Sequence, residues 1–373
     1  MQDDIITITA QCLCKAHTFT TIIGEKVLPL KASCCHCNSC RHVSGALYSS
    51  CAPWPNTEED LSGLAKYSFS DRLDLFACKT CSSRLFCSGE PTRGEPWVVT
   101  GALENAPGLI EYANHLFLED TIDGGASIWL PKSENVKRWR QMYGRLGGEE
   151  MPSDWPVAKA LSSEQLNAGP SPEVTPFYCH CKGVNFVLRS AADLKSKSEE
   201  ELKKCFIDPK TLKYRGSFEC CDSCRLSFGA DLMAWTFAPL SHIDFPGDTS
   251  EGSKFPDDIN ALKAAISSEN KDPRLGTLAS YQSSPGVDRY FCSKCSASVF
   301  YAVHDRPWLV DVAVGLLDHP DGARAEGLLL WFLGRIGWFK DAAGGWREGL
   351  AATAKELQLE YAEKTRGTDG SST

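Results

Sequence analysis

Cysteine is the residue whose abundance and spacing could do chemistry here: 18 of the 373 residues are Cys. They fall into clusters, Cys12-x-Cys14, Cys35-x-Cys37-x-x-Cys40 and Cys78-x-x-Cys81. After a gap the order returns as Cys179-x-Cys181, Cys221-x-x-Cys224 and Cys292-x-x-Cys295. A Cys-x-Cys or Cys-x-x-Cys step lets two thiolates of one tight turn face a single ion, and two such turns close a tetrahedral site. The competing use of paired cysteines, a disulfide framework, belongs to oxidising compartments. The amino end, MQDDIITITA, carries acids where a secretory signal carries a basic cluster. No targeting peptide is therefore expected, and the clusters read as metal ligands in a cytoplasmic protein.

The elements that position these thiols repeat as well. NSCRHVSGALY around Cys40-Arg41 answers DSCRLSFGADL around Cys224-Arg225, and FACKTCSSRLF (Phe76 to Phe86) answers YFCSKCSASVF (Tyr290 to Phe300). Each copy continues into a Pro-Trp and an alternating apolar run, WVVTGALE from Trp97 and LVDVAVGLLD from Leu309. Alternation at period two predicts half-buried strands, here and at Ile5 to Ala10, His17 to Ile23, Asn185 to Arg189 and Leu328 to Leu333. The second copy carries longer connections, DLKSKSEEELKKCF from Asp193 and DDINALKAAISSEN from Asp257. In the latter, Ile259, Leu262 and Ile266 mark one helical face behind an Asp cap. The expected division is a first zinc domain over 1–145, a Gly/Pro/Ser/Glu-rich linker over 146–175 and a second, partly degenerate domain over 176–345. A C-terminal helix bearing Leu350, Leu357 and Tyr361, with a disordered tail, fills 346–373.

Size and charge exclude other classes. The length suits two domains, and 42% hydrophobic with 23% charged residues is a globular composition. A formal net charge of -9 argues against a general nucleic-acid binder, whose phosphate contacts need a basic face. No apolar run approaches the roughly 18 to 20 residues of a membrane helix, so neither nucleic acid nor membrane is expected as a partner.

Cys-x-Cys, then CHCNSCR (Cys35 to Arg41), then Cys-x-x-Cys followed by a strand resembles the glutathione-dependent formaldehyde-activating enzyme family, also called centromere-protein-V-like. The resemblance covers about Ile5 to Leu130 and Phe177 to Leu333. It departs from the usual Gly after the first Cys-x-Cys, where Lys15 stands here and Lys182 precedes Gly183. It implies a mainly β fold, two tandem Mss4-like zinc-binding domains with helical insertions in the second. It implies closed structural zinc sites at Cys12, Cys14, Cys78 and Cys81 and at Cys179, Cys181, Cys292 and Cys295. Cys35, Cys37 and Cys40 would hold a reactive zinc with a fourth position open for water or substrate, or else form a second structural or vestigial site or stay metal-free thiols. The implied activity is that of a carbon–sulfur lyase or synthase joining glutathione, as co-substrate, to formaldehyde or another electrophile. The alternative is a non-catalytic zinc-stapled binding or glutathione-carrier module.

The second copy breaks the pattern at the reactive loop. Alignment on Cys224-Arg225 sets Cys221 opposite Cys37, Cys220 opposite His36 and Glu219 opposite Cys35. Glu219, Cys221 and Cys224 could bind zinc more weakly, Cys220 could substitute, or this copy could be a scaffold. His36 and His180 lie between ligand cysteines, where side chains usually point away from the metal; His36 is a candidate substrate contact. Arg41 and Arg225 could hold an anionic substrate or screen the thiolates. Cys34 adjoins the ligand loop, and His115, Glu119 and Asp120 follow a predicted strand. Cys51, Cys87 and Cys205 read as small core residues.

Overall fold

The computed structural model describes residues 5–132, 135–142, 148–152, 155, 172–247 and 254–366. The alternating runs form strands as expected. The first half opens with a hairpin of β1 (Ile5–Gln11) and β2 (Thr18–Gly24). An eight-stranded sheet follows, built from β3 (Leu30–Cys35), β4 (Ser49–Pro53), β5 (Ala65–Ser70), β6 (Leu73–Ala77), β7 (Arg84–Gly89), β8 (Trp97–Val99), β9 (Ile110–Leu116) and β10 (Lys137–Arg138). Its order is β10-β9-β3-β4-β8-β7-β6-β5, with β9 parallel to β3.

The second half has β11 (Val174–Tyr178), β12 (Asn185–Arg189) and β15 (Ile243–Asp244) in a small sheet. Its main sheet contains β13 (Tyr214–Glu219), β14 (Met233–Pro239), β16 (Leu278–Ser284), β17 (Val287–Cys292), β18 (Ser298–Val303), β19 (Leu309–Ala313) and β20 (Leu329–Gly337). The order β20-β13-β14-β19-β18-β17-β16, with β20 parallel to β13, matches β9 through β5 strand for strand. Helices α1 (Asn38–Ser44) and α3 (Asp222–Phe228) occupy equivalent places, each ended by a glycine, Gly45 or Gly229, in the left-handed region. The expected insertions supply a short α2 (Glu199–Lys204), with a capping box at Ser198 and Glu201, and α4 (Ile259–Ser267), capped by Asp258.

Two expectations change. The runs from Trp97 and Leu309 do not continue as strands; each stops and turns, at Thr100–Ala102 and at Val314–Leu316. The cause is the contact between halves. Gly101 donates its N–H to the Gly229 carbonyl at 3.4 Å, and Gly315 donates to the Gly45 carbonyl at 2.8 Å. A Cβ on Gly101 would lie 2.4 Å from the Ala230 nitrogen, and one on Gly315 would lie 2.1 Å from the Ala46 oxygen. The halves therefore meet through reciprocal turns that tolerate only glycine. The expected linker is also shortened at both ends. Arg140 N–H bonds the Glu149 carbonyl and Met151 N–H bonds the Arg138 carbonyl, while Val174 and Thr175 already belong to β11. The linker positions 146–147, 153–154 and 156–171, and the expected disordered tail 367–373, lie outside the described residues.

The C-terminal helix α5 (Trp346–Arg366) lies on β20. Gln358 Oε1 accepts the Gly334 N–H at 3.0 Å, and Leu359 fills the space a side chain at Gly334 would take. No described helix is long and apolar enough to cross a membrane.

Candidate metal centres

Among the described residues four groups of potential ligands form, each with its ligand atoms within 4.8 Å of one another: Cys12/Cys14/Cys78/Cys81, Cys179/Cys181/Cys292/Cys295, Cys35/Cys37/Cys40 and Glu219/Cys221/Cys224. In the first quartet the turn after β1 meets the turn after β6, with Cys12 Sγ 3.5 Å from Cys14 Sγ and Cys14 Sγ 3.6 Å from Cys78 Sγ. The second quartet repeats this at 3.6 Å (Cys179–Cys181) and 3.5 Å (Cys181–Cys292). Backbone N–H groups point at the sulfurs: His17 to Cys12 at 3.3 Å, Val184 to Cys179 at 3.3 Å and Cys295 to Cys292 at 3.4 Å. The turns need left-handed backbone at Lys15, Ser82, Lys182 and Ser296, with φ of 56° to 63°. Lysine thus adopts at Lys15 and Lys182 a conformation that glycine would adopt freely, at a cost of about 1 kcal/mol.

The thiols of each quartet oppose one another. Hydrogen bonding from Cys12 and Cys78 drives Cys81 far down, while Cys12 is driven far up, chiefly by Cys78. Cys292 is driven down by Cys179 and Cys295, and Cys295 is driven up in turn, first by Cys179. A set of four sulfurs that cannot all ionise without a cation, closed on every side by its own ligands, fits zinc in a structural role.

The trio differs in being open. Cys35 ends β3, Cys37 caps α1 and Cys40 lies in its first turn, so one loop supplies all three thiols. Cys35 Sγ is 3.5 Å from Cys37 Sγ, which accepts the Cys40 N–H at 3.3 Å. Hydrogen bonds from Cys35, then Cys40, with the Cys40 N–H and Arg41, hold Cys37 well below the usual thiol range. A thiolate at a helix N-cap is further favoured by the helix dipole. Cys34 is buried beside the trio and does not join it.

Arg41 and Arg225 occupy equivalent positions and behave differently. Arg225 is used up: Nε bonds Asp222 at 2.7 Å, and Nη1 bonds the Gly101 and Leu103 carbonyls at 2.7 and 2.8 Å across the contact between halves. Arg41, only 4% exposed, spends Nη2 on Asn38 Oδ1 at 2.5 Å. Its Nε and Nη1 are buried without a hydrogen-bond partner. The charges that act on it are Asp123, Cys37, Asp318 and Asp120.

His36 turns away from the trio. It is fully buried, with Nε2 2.9 Å from His115 Nδ1, and His115 Nε2 lies 3.0 Å from the Pro131 carbonyl. Burial holds both imidazoles neutral, His115 down to about 4. Asp120 comes to the site through the Asn38 N–H, which it accepts at 3.2 Å; Glu119 instead pairs with Arg140 and Gln141. Of the residues that the second half brings to this edge, sequence reasoning singled out His180 and missed Tyr178 and Asp318. His180 N–H bonds the His42 carbonyl at 2.9 Å, the His42 ring stacks on Tyr178 at 4.3 Å, and the Tyr178 hydroxyl bonds Asp318 at 2.9 Å. No spacing signal links these positions.

In the second half, Glu219 ends β13, Cys221 caps α3, and Cys221 Sγ accepts the Cys224 N–H at 3.4 Å. Burial, with Cys224 and Asp311 nearby, pushes Glu219 up to about 8. Cys220 is turned to the Gly337 and Trp338 carbonyls at 3.5 Å and does not substitute for Glu219. Cys205 caps α2, and Cys51 lies against Cys87 in the first half's sheet.

Residues 7–120 match the family described as glutathione-dependent formaldehyde-activating enzyme. An uncharacterized lyase of Schizosaccharomyces pombe is 35% identical over 77 residues, which is 20% of this chain and 53% of that protein. The chain thus spans about half the length of the curated relative it matches, and no solved structure matches it. The stretch that matches this family, residues 7–120, holds both the first cysteine quartet and the trio.

Proposed function

We propose that this chain is a zinc-dependent carbon–sulfur lyase or synthase acting on a thiol adduct, with glutathione and formaldehyde as the reference pair. It is built from two tandem Mss4-like domains, 1–145 and 176–345, and works in the cytoplasm. The observation that carries the reading is the Cys35–Cys37–Cys40 trio beside an arginine with two unpartnered buried nitrogens. Zinc bound by these thiolates would supply Lewis acidity and lower the pKa of an incoming thiol.

The chain's own groups do the rest. Arg41 offers Nε and Nη1 to a carboxylate of the substrate, a charge-assisted contact in a buried setting. Asn38, fixed between Arg41 and Asp120, keeps that guanidinium in place. The substrate sulfur forms a bond to the aldehyde carbon, the carbonyl π bond opens, and the thiol proton ends on the new hydroxyl oxygen. No other reactant is consumed. The quartets hold the scaffold, and the buried His36–His115 pair supports the loop from behind.

The experiment is carbon-13 NMR of labelled formaldehyde with glutathione, comparing purified wild-type protein with Cys37→Ala and with no protein. Faster adduct exchange with wild type alone supports the reading. Identical exchange in all three samples refutes the formaldehyde version, and glutathione binding without any acceleration would identify a carrier module.

A further inference from the structure

The second half departs from the first at more than Glu219. Three residues before each Cys-x-x-Cys stands Leu75 in the first half and Arg289 in the second. Leu75 is a buried apolar residue. Arg289, 5% exposed, directs Nη1 and Nη2 at Cys224 Sγ, 3.7 and 3.6 Å away, and Nη2 also bonds Ser223 Oγ at 2.9 Å. Its guanidinium carbon lies 4.9 Å from the centre of the Tyr301 ring. Tyr301 follows its Cys-x-x-Cys at the place Cys87 takes in the first half. Three replacements therefore act together: a carboxylate for a thiol at 219, a guanidinium for an isobutyl group at 289, and at 301 an aromatic face on which that guanidinium stacks.

A second arginine completes the balance. Arg306 bonds the buried Asp311 at 2.6 Å beside this cluster. The first half also has arginines near its trio, but their hydrogen bonds go elsewhere. Arg84 Nη2 bonds the Phe228 carbonyl at 3.0 Å, and Arg41 bonds Asn38.

We propose that Arg289 stands in the place of the metal, so that Glu219, Cys221 and Cys224 form a guanidinium–thiolate cluster that takes no zinc. The donor set fits this state. A zinc–sulfur bond of about 2.3 Å to Cys224 would set a dication against a guanidinium already on that sulfur, in a buried site where water cannot screen the repulsion. Ser223 and the Tyr301 ring hold the guanidinium against that sulfur. The second half thus keeps a structural quartet and has exchanged its open metal site for a fixed internal cation. This inference concerns metal occupancy and does not depend on the lyase reading.

The test is zinc per chain, measured by plasma mass spectrometry on the full-length protein after zinc saturation and gel filtration. Cys224→Ser, which nearly keeps the side-chain volume, should leave the wild-type count unchanged. Arg289→Leu, which installs the first half's residue, should bind one more zinc than wild type, and Cys224→Ser in that background should remove it. The proposal is overturned if Cys224→Ser lowers the wild-type count by one, or if folded Arg289→Leu takes up no additional zinc. Should Arg289→Leu fail to fold, the Cys224→Ser count alone decides. Loss of adduct chemistry in Cys37→Ala is a separate result, so the two readings can fail independently.

Discussion

Replacing Asp231 by Asn should weaken the whole chain, because this carboxylate joins both halves to the C-terminal helix. Asp231 is fully buried. One oxygen accepts Arg347 Nε at 2.9 Å; the other accepts Thr100 Oγ1 at 2.5 Å and the Tyr112 hydroxyl. Arg347 is 1% exposed and also donates to the Thr100, Leu103 and Glu104 carbonyls. Burial lowers Arg347 to about 10, and Asp231 is the foremost group that opposes this shift. The amide keeps the shape and removes the charge. Leaving one partner of a buried pair uncompensated costs about 3–5 kcal/mol. The amide NH2 also orphans one donor, for about 1–3 kcal/mol more. Since such terms overlap, the expected loss is about 4–6 kcal/mol, a large part of a typical 5–15 kcal/mol. At about 2.1 cal/mol/K of unfolding entropy per residue over 373 residues, that lowers the melting midpoint by roughly 5–8 °C. Scanning calorimetry should show this at unchanged zinc content. Asp231→Asn/Arg347→Met, which removes the stranded charge, should melt higher than the two single losses predict. A midpoint for Asp231→Asn within about 1 °C of wild type would refute the argument, as would strict additivity in the double mutant.

Cys78→Ser or Cys292→Ser should cost the chain one zinc and destabilise its half, since zinc-site energies of about 10 kcal/mol rival total domain stability; a wild-type midpoint in either variant contradicts the structural role. Cys37→Ala should abolish adduct chemistry with little change in melting, whereas Cys221→Ala should retain most of the activity; equal losses would mean that both halves carry the reaction. Acidification should destabilise the protein. Burial lowers His42 and His115 to about 4, so the folded state resists protons that the unfolded chain takes up near 6.5. Their contribution is intact above pH 6.5 and is lost as pH falls toward 4, at about 1.4 kcal/mol per pH unit for each imidazole. Denaturant midpoints of His42→Gln should fall less steeply over that range than those of wild type, and an identical slope would show that His42 plays no part.

The sequence by itself determined the thiol pairs, because the knuckle that aims two thiols at one point is local; that Cys14 meets Cys78, 64 residues away, came only from the family resemblance and the tertiary structure. Cys12-x-Cys14 and Cys78-x-x-Cys81 need only a turn with one left-handed residue. Local, too, was the trio, whose ligands lie within six residues and need only the start of a helix. Period-two alternation located strands, and the repeated order of motifs anticipated two β-rich units; their shared strand order came from the tertiary structure. What lay beyond reach depends on chain segments meeting at long range, since alternation tells which face is buried and not what it is buried against. The strand from Trp97 stops at Thr100 because Gly101 meets Gly229 of the other half, a contact invisible in an alternating run. Arg41 and Arg225 stand in matching motifs, yet the contact between halves satisfies Arg225 and leaves two nitrogens of Arg41 free. Arg289 lies 65 residues from Cys224, and Asp231 lies 116 from Arg347. In both pairs the β-sheet and helix packing bring a fixed charge into a dry interior, where a single partner decides whether a site needs a metal or a half stays folded.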